Sequence, residues 1–302
     1  MRTAAVIGSI NMDMVTVVER FPRAGETLTG KSFSTVPGGK GANQAVALGR
    51  LGVPVRMAGL VGSDAFGAEY VRHFEKNGVD TSLVGVSQGN TTGTATIEVN
   101  ADGENHIVVV PGANGDCSME WLDGVLGKLA DADIFLLQHE IPLEVVFSAI
   151  RRLNAMGKTV ILDPAPAVQV PEDALRSIDY ITPNETELRA ITPSLPESAD
   201  AAERMEYLLS QGVGCVVHKA GRDGAFIATR GGIAHVPGFP VEAVDTTAAG
   251  DTFNAGFAAG LAMGLPLPEA ARMANAAAAI SVTAYGAQAG MPNMDRVRKL
   301  LG

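Results

Sequence analysis

The residues best suited to chemistry stand in the run Val244-Asp245-Thr246-Thr247-Ala248-Ala249-Gly250-Asp251-Thr252-Phe253-Asn254. Three small residues, Ala248, Ala249 and Gly250, precede an acid and lead into a helix expected over Thr252–Met263. A helix start leaves its first backbone N–H groups without partners, and these can hold an anion if no side chain blocks the approach. Asp251 then falls in the first turn, where an ionised carboxylate can accept a hydrogen bond from a hydroxyl. An acid at a helix start also simply favours the dipole, and taken alone that is the commoner role. The lack of side-chain bulk before Asp251 is what points to a phosphate.

Four further runs could contribute. Pro37-Gly38-Gly39-Lys40-Gly41-Ala42-Asn43-Gln44 places three glycines around a lysine, so backbone can approach a small polar ligand closely, with Asn43 offering both a donor and an acceptor. It is not a Walker A loop, because Gly41 stands where the magnesium-binding Ser or Thr would follow the lysine. In Thr182-Pro183-Asn184-Glu185-Thr186-Glu187, Asn184 and Glu187 share a helix face. They could order the water shell of a magnesium ion, or equally form a capping box. Lys219-Ala220-Gly221-Arg222-Asp223-Gly224 reads as a turn between two strands. Gly8-Ser9-Ile10-Asn11-Met12-Asp13 lies at the end of the first strand, the edge at which open α/β sheets bind ligands.

Other chemistries are absent. No Gly-x-Gly-x-x-Gly follows Ala4–Gly8, and there is no Gly-x-Ser-x-Gly elbow and no Cys-x-x-Cys pair. His73, His106, His139, His218 and His235 are scattered and read as structural. The net charge of −10 argues against a nucleic-acid or anionic-membrane partner held by bulk electrostatics. Two cysteines, Cys117 and Cys215, suit a reducing compartment. The apolar start ends at Asn11 and Asp13, too early for a signal peptide, and the weakly charged stretch from Thr252 to Pro268 is broken by glycines and prolines. The expectation is a cytoplasmic, soluble protein.

The elements that would position these runs alternate. Short apolar strands are expected at Ala4–Gly8, Val55–Val61, Ile134–Leu137, Thr159–Asp163, Tyr180–Thr182 and Val213–Lys219. Helical periods are expected at Ala42–Leu51, Ala65–Asn77, Met119–Ala130, Leu143–Met156, Thr186–Ile191, Ala199–Gln211, Thr252–Met263 and Leu267–Ala284. This is the pattern of βαβ units with a mostly parallel sheet. Two stretches, Met12 to Val36 and Gly93 to Val110, alternate apolar and polar residues as antiparallel strands with one wet face would. They predict a small sheet beside the main one.

Taken together and in this order, GSINMD, GGKGANQA, LQHE, DPAPA, ITPNETE, VDTTAAGDTFN and the tail GAQAGMP resemble the ribokinase family of sugar and nucleoside kinases, over nearly the whole chain. The resemblance implies a three-layer α/β/α ribokinase-like fold with a mostly parallel central sheet. It implies one large domain over 1–302, with a small β-sheet lid inserted from about 11–37 and 89–113 that pairs two copies in a homodimer. The implied activity is ATP-dependent transfer of the γ-phosphoryl group to the 5-hydroxyl of D-ribose, giving ribose 5-phosphate and ADP. Alternatives are a kinase of 2-deoxyribose, another sugar or a nucleoside, or a ligand-binding regulator that keeps the fold.

The family roles carry over residue by residue. Asp251 would be the base, and N–H groups around Ala248, Ala249, Gly250 and Asp251 the anion hole. Asn11, Asp13, Gly39, Lys40, Asn43 and Glu140 would hold sugar hydroxyls. Asn184, Lys219, Gly221, Gly224, Gly250 and Asn275 would line the nucleotide, with Glu187 and Asn184 organising Mg2+ through water. Asp245, Thr247, Ser281, Ala284, Gly286 and Gly290 match a monovalent-cation site for K+. Three positions depart from the family pattern: Gly290 where a serine is frequent, Lys219 where a threonine is common, and Asp163 where many relatives carry asparagine. Lys219 is expected to point to solvent rather than to a phosphate, and Asp163 carries no reading.

Overall fold

A computed structural model describes residues 1–302. Its strands are β1 (Ala4–Ile7), β2 (Asn11–Val17), β3 (Ser32–Gly38), β4 (Val55–Gly62), β5 (Val79–Ser87), β6 (Gly93–Val99), β7 (Asn105–Val110), β8 (Ile134–Leu137), β9 (Thr159–Leu162), β10 (Tyr180–Ile181), β11 (Cys215–Lys219), β12 (Ala225–Thr229) and β13 (Gly232–Val236). Its helices are α1 (Lys40–Arg50), α2 (Ala65–Lys76), α3 (Met119–Leu126), α4 (Leu143–Ala155), α5 (Glu172–Leu175), α6 (Glu185–Ala190), α7 (Ala201–Ser210), α8 (Ala249–Ala262), α9 (Leu267–Ser281) and α10 (Met294–Leu301).

The large sheet has nine strands in the order β13-β12-β11-β10-β9-β8-β1-β4-β5. All neighbours are parallel except at one edge, where β12 and β13 turn back antiparallel. Strands covered on both faces read as unbroken apolar runs, and β1 and β8 are buried at every position. Alternate side chains feed two cores. Ala4 and Val6 join α1, α2, α8, α9 and α10 on one face, while Ala5 and Ile7 join α3, α4, α5, α6 and α7 on the other. The three-layer α/β/α architecture is therefore present.

The second sheet has four strands in the order β3-β2-β6-β7. Its two hairpins are antiparallel, as expected, but the seam that joins them, β2 against β6, is parallel. The reason is topological. β2 leaves the C-terminal end of β1 and β6 follows β5, and these two run the same way in the main sheet. The expected single wet face also fails at the edge, since every residue of β7 is exposed.

The element ends that differ most from expectation lie at the site. α1 begins at Lys40 and not Ala42, and α8 at Ala249 and not Thr252, so both small-residue motifs form first helical turns instead of preceding loops. At its other end the helix expected to reach Ala284 stops at Ser281. β5, α5 and α10 were not anticipated, nor were the limits of β12 and β13, because each is short, polar or lacks a clear period.

α8 and α9 pack with almost no space between backbones. A Cβ on Gly256 would lie 2.8 Å from Ala274 Cα. Helix propensity alone favours alanine over glycine by about 0.5–1 kcal/mol, but overpacking costs about 1–3 kcal/mol, and the nearest atom belongs to a backbone that cannot swing aside. Gly256→Ala is therefore expected to lower the urea midpoint. An unchanged or raised midpoint would show that α9 yields without cost.

Candidate active site

α8 starts abruptly. Ala248, at its N-cap, is the one non-glycine residue with positive φ (59°), a left-handed conformation costing about 1–2 kcal/mol for an L-residue. No side chain caps the helix. The Ala249 N–H turns back to the Thr246 carbonyl at 3.2 Å, which leaves those of Gly250 and Asp251 for an external acceptor. Asp251 sits one step inside this turn and is buried.

Its carboxylate is held from α1. Asn43 Nδ2 donates to Asp251 Oδ2 at 2.9 Å, and Gln44 Nε2 donates to Oδ1 at 3.2 Å. Gln44 is itself oriented: its Oε1 accepts from Gln138 Nε2 at 2.7 Å, and its Nε2 also reaches Asp163 Oδ2 at 3.0 Å. Burial pushes the Asp251 carboxyl up to about 6; the Lys40 ammonium opposes the rise while Asp163 adds to it. At neutral pH Asp251 is still mostly ionised, and both oxygens are already fixed by amide donors. Its remaining lone pairs are free to accept a hydroxyl proton.

On the side of the small sheet, Glu140 Oε2 accepts from Ser9 Oγ at 2.6 Å and from Lys40 N at 2.9 Å, so one carboxylate ties the end of β1 to the start of α1. Asn11 Oδ1 accepts from Asn114 Nδ2 at 2.6 Å. Gly39 has φ 87° and an added Cβ would lie 2.7 Å from Asn11 N, so only glycine fits there. The Asp13 carboxylate makes no hydrogen bond, and burial, then Glu140 and Asp251, raise its pKa to about 7. Burial works against the Lys40 charge, but Asp251, Asp163, Glu140 and Glu187 outweigh it and hold the ammonium protonated.

On the other side of Asp251 opens a cavity of about 890 Å³. Of the residues expected at a nucleotide, Asn184, Lys219, Gly221, Gly224, Gly250 and Asn275 all line it. So do Lys40, Glu187, Ala248, Ala249 and Asp251. The Asn275 amide nitrogen is committed to the carbonyls of Val236 and Pro237, at 2.9 and 3.1 Å. Asn184 and Glu187 form a full capping box on α6, the plainer of their two expected roles. Both Glu187 oxygens accept from Asn184, at 2.7 and 2.9 Å.

Lys219 corrects an expectation. It does not point to solvent: its Nζ lies 2.7 Å from Asp163 Oδ1 and 3.5 Å from Glu187 Oε2, with the side chain 11% exposed. The two departures from the family pattern, Lys219 and Asp163, thus meet as one ion pair at the cavity wall. Because Asp163 also accepts from Gln44, the pair joins the network around Asp251. Burial opposes the Lys219 charge, yet Asp163 and then Glu187 raise its pKa.

The six residues matched to a monovalent cation stand apart from the cavity wall. Asp245 Oδ1 accepts from Thr247 N and Oγ1, at 2.9 and 2.6 Å, and its Oδ2 accepts from Gly286 N at 2.8 Å, joining two turns. Partial burial would raise the Asp245 carboxyl, but these hydrogen bonds bring it below its ordinary value. Ser281 Oγ is turned to Ala278 O, at 2.8 Å. A Cβ at Gly290 would collide with the Ser281 carbonyl, which accounts for the missing side chain. The structure gives no such contact for Ala284.

Ser9, Gln44, Asn114, Gln138 and Asp163 belong to the site but received no role from sequence. Gln138 carried a signal, being a fully buried amide directly after the apolar strand Ile134–Leu137. Ser9 and Asn114 carried none, since their partners are distant in the chain: Glu140 and Gly41 for Ser9, Ile10 and Asn11 for Asn114.

The fold and this constellation are those of a phosphoryl-transfer enzyme for small alcohols. The sequence matches the family described as pfkB family carbohydrate kinase over residues 1–294, and the chain belongs to that family. It is 43% identical to a ribokinase from Bacillus subtilis, with all of both chains covered. Among solved structures, ribokinase from Thermotoga maritima superposes with a TM-score of 0.94 at 39% identity, covering 100% of this chain and 99% of that one. Arabidopsis thaliana ribokinase complexed with ribose and ATP gives 0.92 at 34% identity, covering 99% and 98%. No helix is long and apolar enough to cross a membrane.

Two stability measurements check this electrostatic picture. The folded-state pKa of Asp13 lies above its unfolded value of about 3.9, so its charge costs stability above pH 7, and the cost fades as pH falls from 7 to 4. Asp13→Asn is expected to raise Tm at pH 8 and leave it unchanged at pH 4; equal Tm values at pH 8 would contradict a buried charge. Lys219→Met removes the cation from a buried pair and is expected to cost about 3–5 kcal/mol in urea unfolding. Adding Asp163→Asn should recover most of that loss, and no recovery would mean that Lys219 acts alone.

Proposed function

We infer that this chain is an ATP-dependent kinase that transfers the γ-phosphoryl group to the 5-hydroxyl of ribose, producing ribose 5-phosphate and ADP. The observation that carries this reading is Asp251: a buried, doubly oriented carboxylate between a cavity lined by a helix N-terminus and the charged groups of Asp13, Lys40 and Glu140. The likeness to a ribokinase complexed with ribose and ATP supports the choice of donor and acceptor.

In this mechanism Asp251 accepts the hydroxyl proton as the sugar oxygen bonds to the γ-phosphorus and the bond to the β-γ bridging oxygen breaks. The lone pairs left after Asn43 and Gln44 have donated aim at the incoming hydroxyl, so positioning supplies much of the rate. The N–H groups of Gly250 and Asp251 stabilise the charge that builds on the transferring group, and that of Ala249 joins them only by leaving the Thr246 carbonyl. Lys40, protonated and half-buried beside Asp251, adds a cation there. Asn11, Asp13, Gly39, Asn43 and Glu140 bind sugar hydroxyls, while Asn184, Lys219, Gly221, Gly224, Gly250 and Asn275 hold the nucleotide.

Two cations fit the donors present. Asn184 and Glu187 suit magnesium bound through water, because Glu187 has oxygen lone pairs to spare after the capping box, and the ion would neutralise phosphate charge. Asp245, Thr247, Ser281, Ala284, Gly286 and Gly290 suit a hard monovalent ion such as potassium, with a single carboxylate and otherwise hydroxyl and carbonyl oxygens. No cluster of three acidic, His or Cys residues forms a divalent cage.

The four-stranded sheet, from about 11–37 and 89–113, acts as the lid that excludes water from the acceptor. Phe33, Ile107, Val108 and Val109 are 52–65% exposed on it. Exposed apolar residues at that density support pairing of two lids in a homodimer. The free, buried cysteines favour the cytoplasm, and the charge of −10 disfavours a nucleic-acid partner.

The test is a panel of purified-enzyme kcat/KM values for ribose, 2-deoxyribose, hexoses and nucleosides with ATP and magnesium. Ribose is expected to lead, since an acceptor lacking a hydroxyl leaves Asp13 unpaired; another acceptor ahead by tenfold would overturn the assignment. Asp251→Asn is expected to keep sugar binding and lose most turnover. Near wild-type turnover would remove Asp251 from the role of base.

A further inference from the structure

One buried side chain in the tail motif GAQAGMP has no role in the mechanism above. Gln288 is 3% exposed and lies in the turn after α9, yet its amide is directed into the sugar side of the site. The direction of its hydrogen bonds follows from its neighbours. The Tyr70 hydroxyl donates to the Gly38 carbonyl at 2.6 Å, so toward Gln288 it can only accept, and Gln288 Nε2 supplies that proton at 3.0 Å. The other Nε2 proton goes to Asn43 Oδ1 at 2.8 Å. Gln288 Oε1 then accepts from His73 Nε2 at 2.6 Å.

With Oδ1 of Asn43 occupied by a donor, its Nδ2 is the end that faces Asp251 Oδ2, at 2.9 Å. The chain therefore runs one way, from His73 through Gln288 and Asn43 to the Asp251 carboxylate. The backbone is clamped as well. The Arg50 guanidinium, two turns beyond Asn43 on α1, donates to the carbonyls of Gln288 and Met291.

We propose that Gln288 is a positioning residue for phosphoryl transfer: it sets the orientation of the Asn43 carboxamide, and through it directs the Asp251 carboxylate at the acceptor hydroxyl. The proposal rests on the reading of Asp251 as the base. Without the Gln288 donor, the Asn43 amide can turn over and present its oxygen to Asp251, where two acceptors repel. Asp251 would lose an N–H donor that favours its ionised form and so hold its proton more tightly. Lys40 and Gln44 from α1, Asp163 after β9, Asp13 and Glu140 also face that carboxylate, and Lys219 acts on it from the cavity side. None of them touches Gln288.

Gln288→Met removes the donor, and Gln288→Glu keeps the shape in case the apolar variant fails to fold. Each is compared with wild type for kcat, sugar KM, ATP KM, Tm and the pH profile of kcat, using whichever acceptor wild type turns over best. The expected result is a loss of at least tenfold in kcat/KM for the sugar, an unchanged ATP KM, and an acid limb moved to higher pH. An unmoved acid limb, or parallel losses toward sugar and ATP that track the fall in Tm, would reduce Gln288 to a structural residue and overturn the proposal. Wild-type turnover in the same assays separates the two ideas. Its absence would refute the kinase reading itself, whereas its presence with unshifted variants would refute only the role of Gln288.

Discussion

Everything at the site depends on keeping one carboxylate charged in a nearly buried position. Asp251 lies at the junction of α1 and α8, and an isolated ion there would neutralise instead of staying ionised. Three residues of α1 prevent that. Lys40, Asn43 and Gln44 follow the helical spacing of three and four, so they share one face and meet α8 together. The start of α1 is fixed in turn by Glu140 and Ser9, from strand ends on the main sheet. The parallel sheet thereby serves as a jig: its C-terminal edge brings together groups that lie more than two hundred residues apart.

Much of this was legible in the chain. Apolar runs such as Ile134–Leu137 announced buried strands, and Ala248-Ala249-Gly250 announced a bare helix start, because in both cases local composition decides the structure. The capping box of Asn184 and Glu187 was legible for the same reason. The parallel seam of β2 and β6 was not, since strand direction follows from where each strand leaves the main sheet and not from its own residues. Lys219 and Asp163 show a related limit. Each looked arbitrary alone, and their meaning lies in a 2.7 Å contact across fifty-six positions.

The acidic character of the chain also takes on a local form. Glu140, Asp163, Glu187 and Asp251 act on two ammonium groups, Lys40 and Lys219. Lys219 is paired with Asp163 and Glu187, while Lys40 feels the same acids without a direct ion pair, so under the proposed function a triphosphate would enter a site whose cations are already balanced. Under the proposed function Lys219 would exchange Asp163 and Glu187 for phosphate oxygens. An excess of acid therefore need not repel the nucleotide.

The contact of Gly256 and Gly260 with Ala270 and Ala274 brings α8 and α9 together along their backbones. Helices that close have little freedom to slide or rotate against one another, so Asp251 at the head of α8 and Asn275 on α9 travel as one piece. The four-stranded sheet has no such tie to the helices and joins the main sheet through the short links after β1 and β5. On the proposed reading, any closure over the acceptor would therefore be a movement of the small sheet against a fixed Asp251.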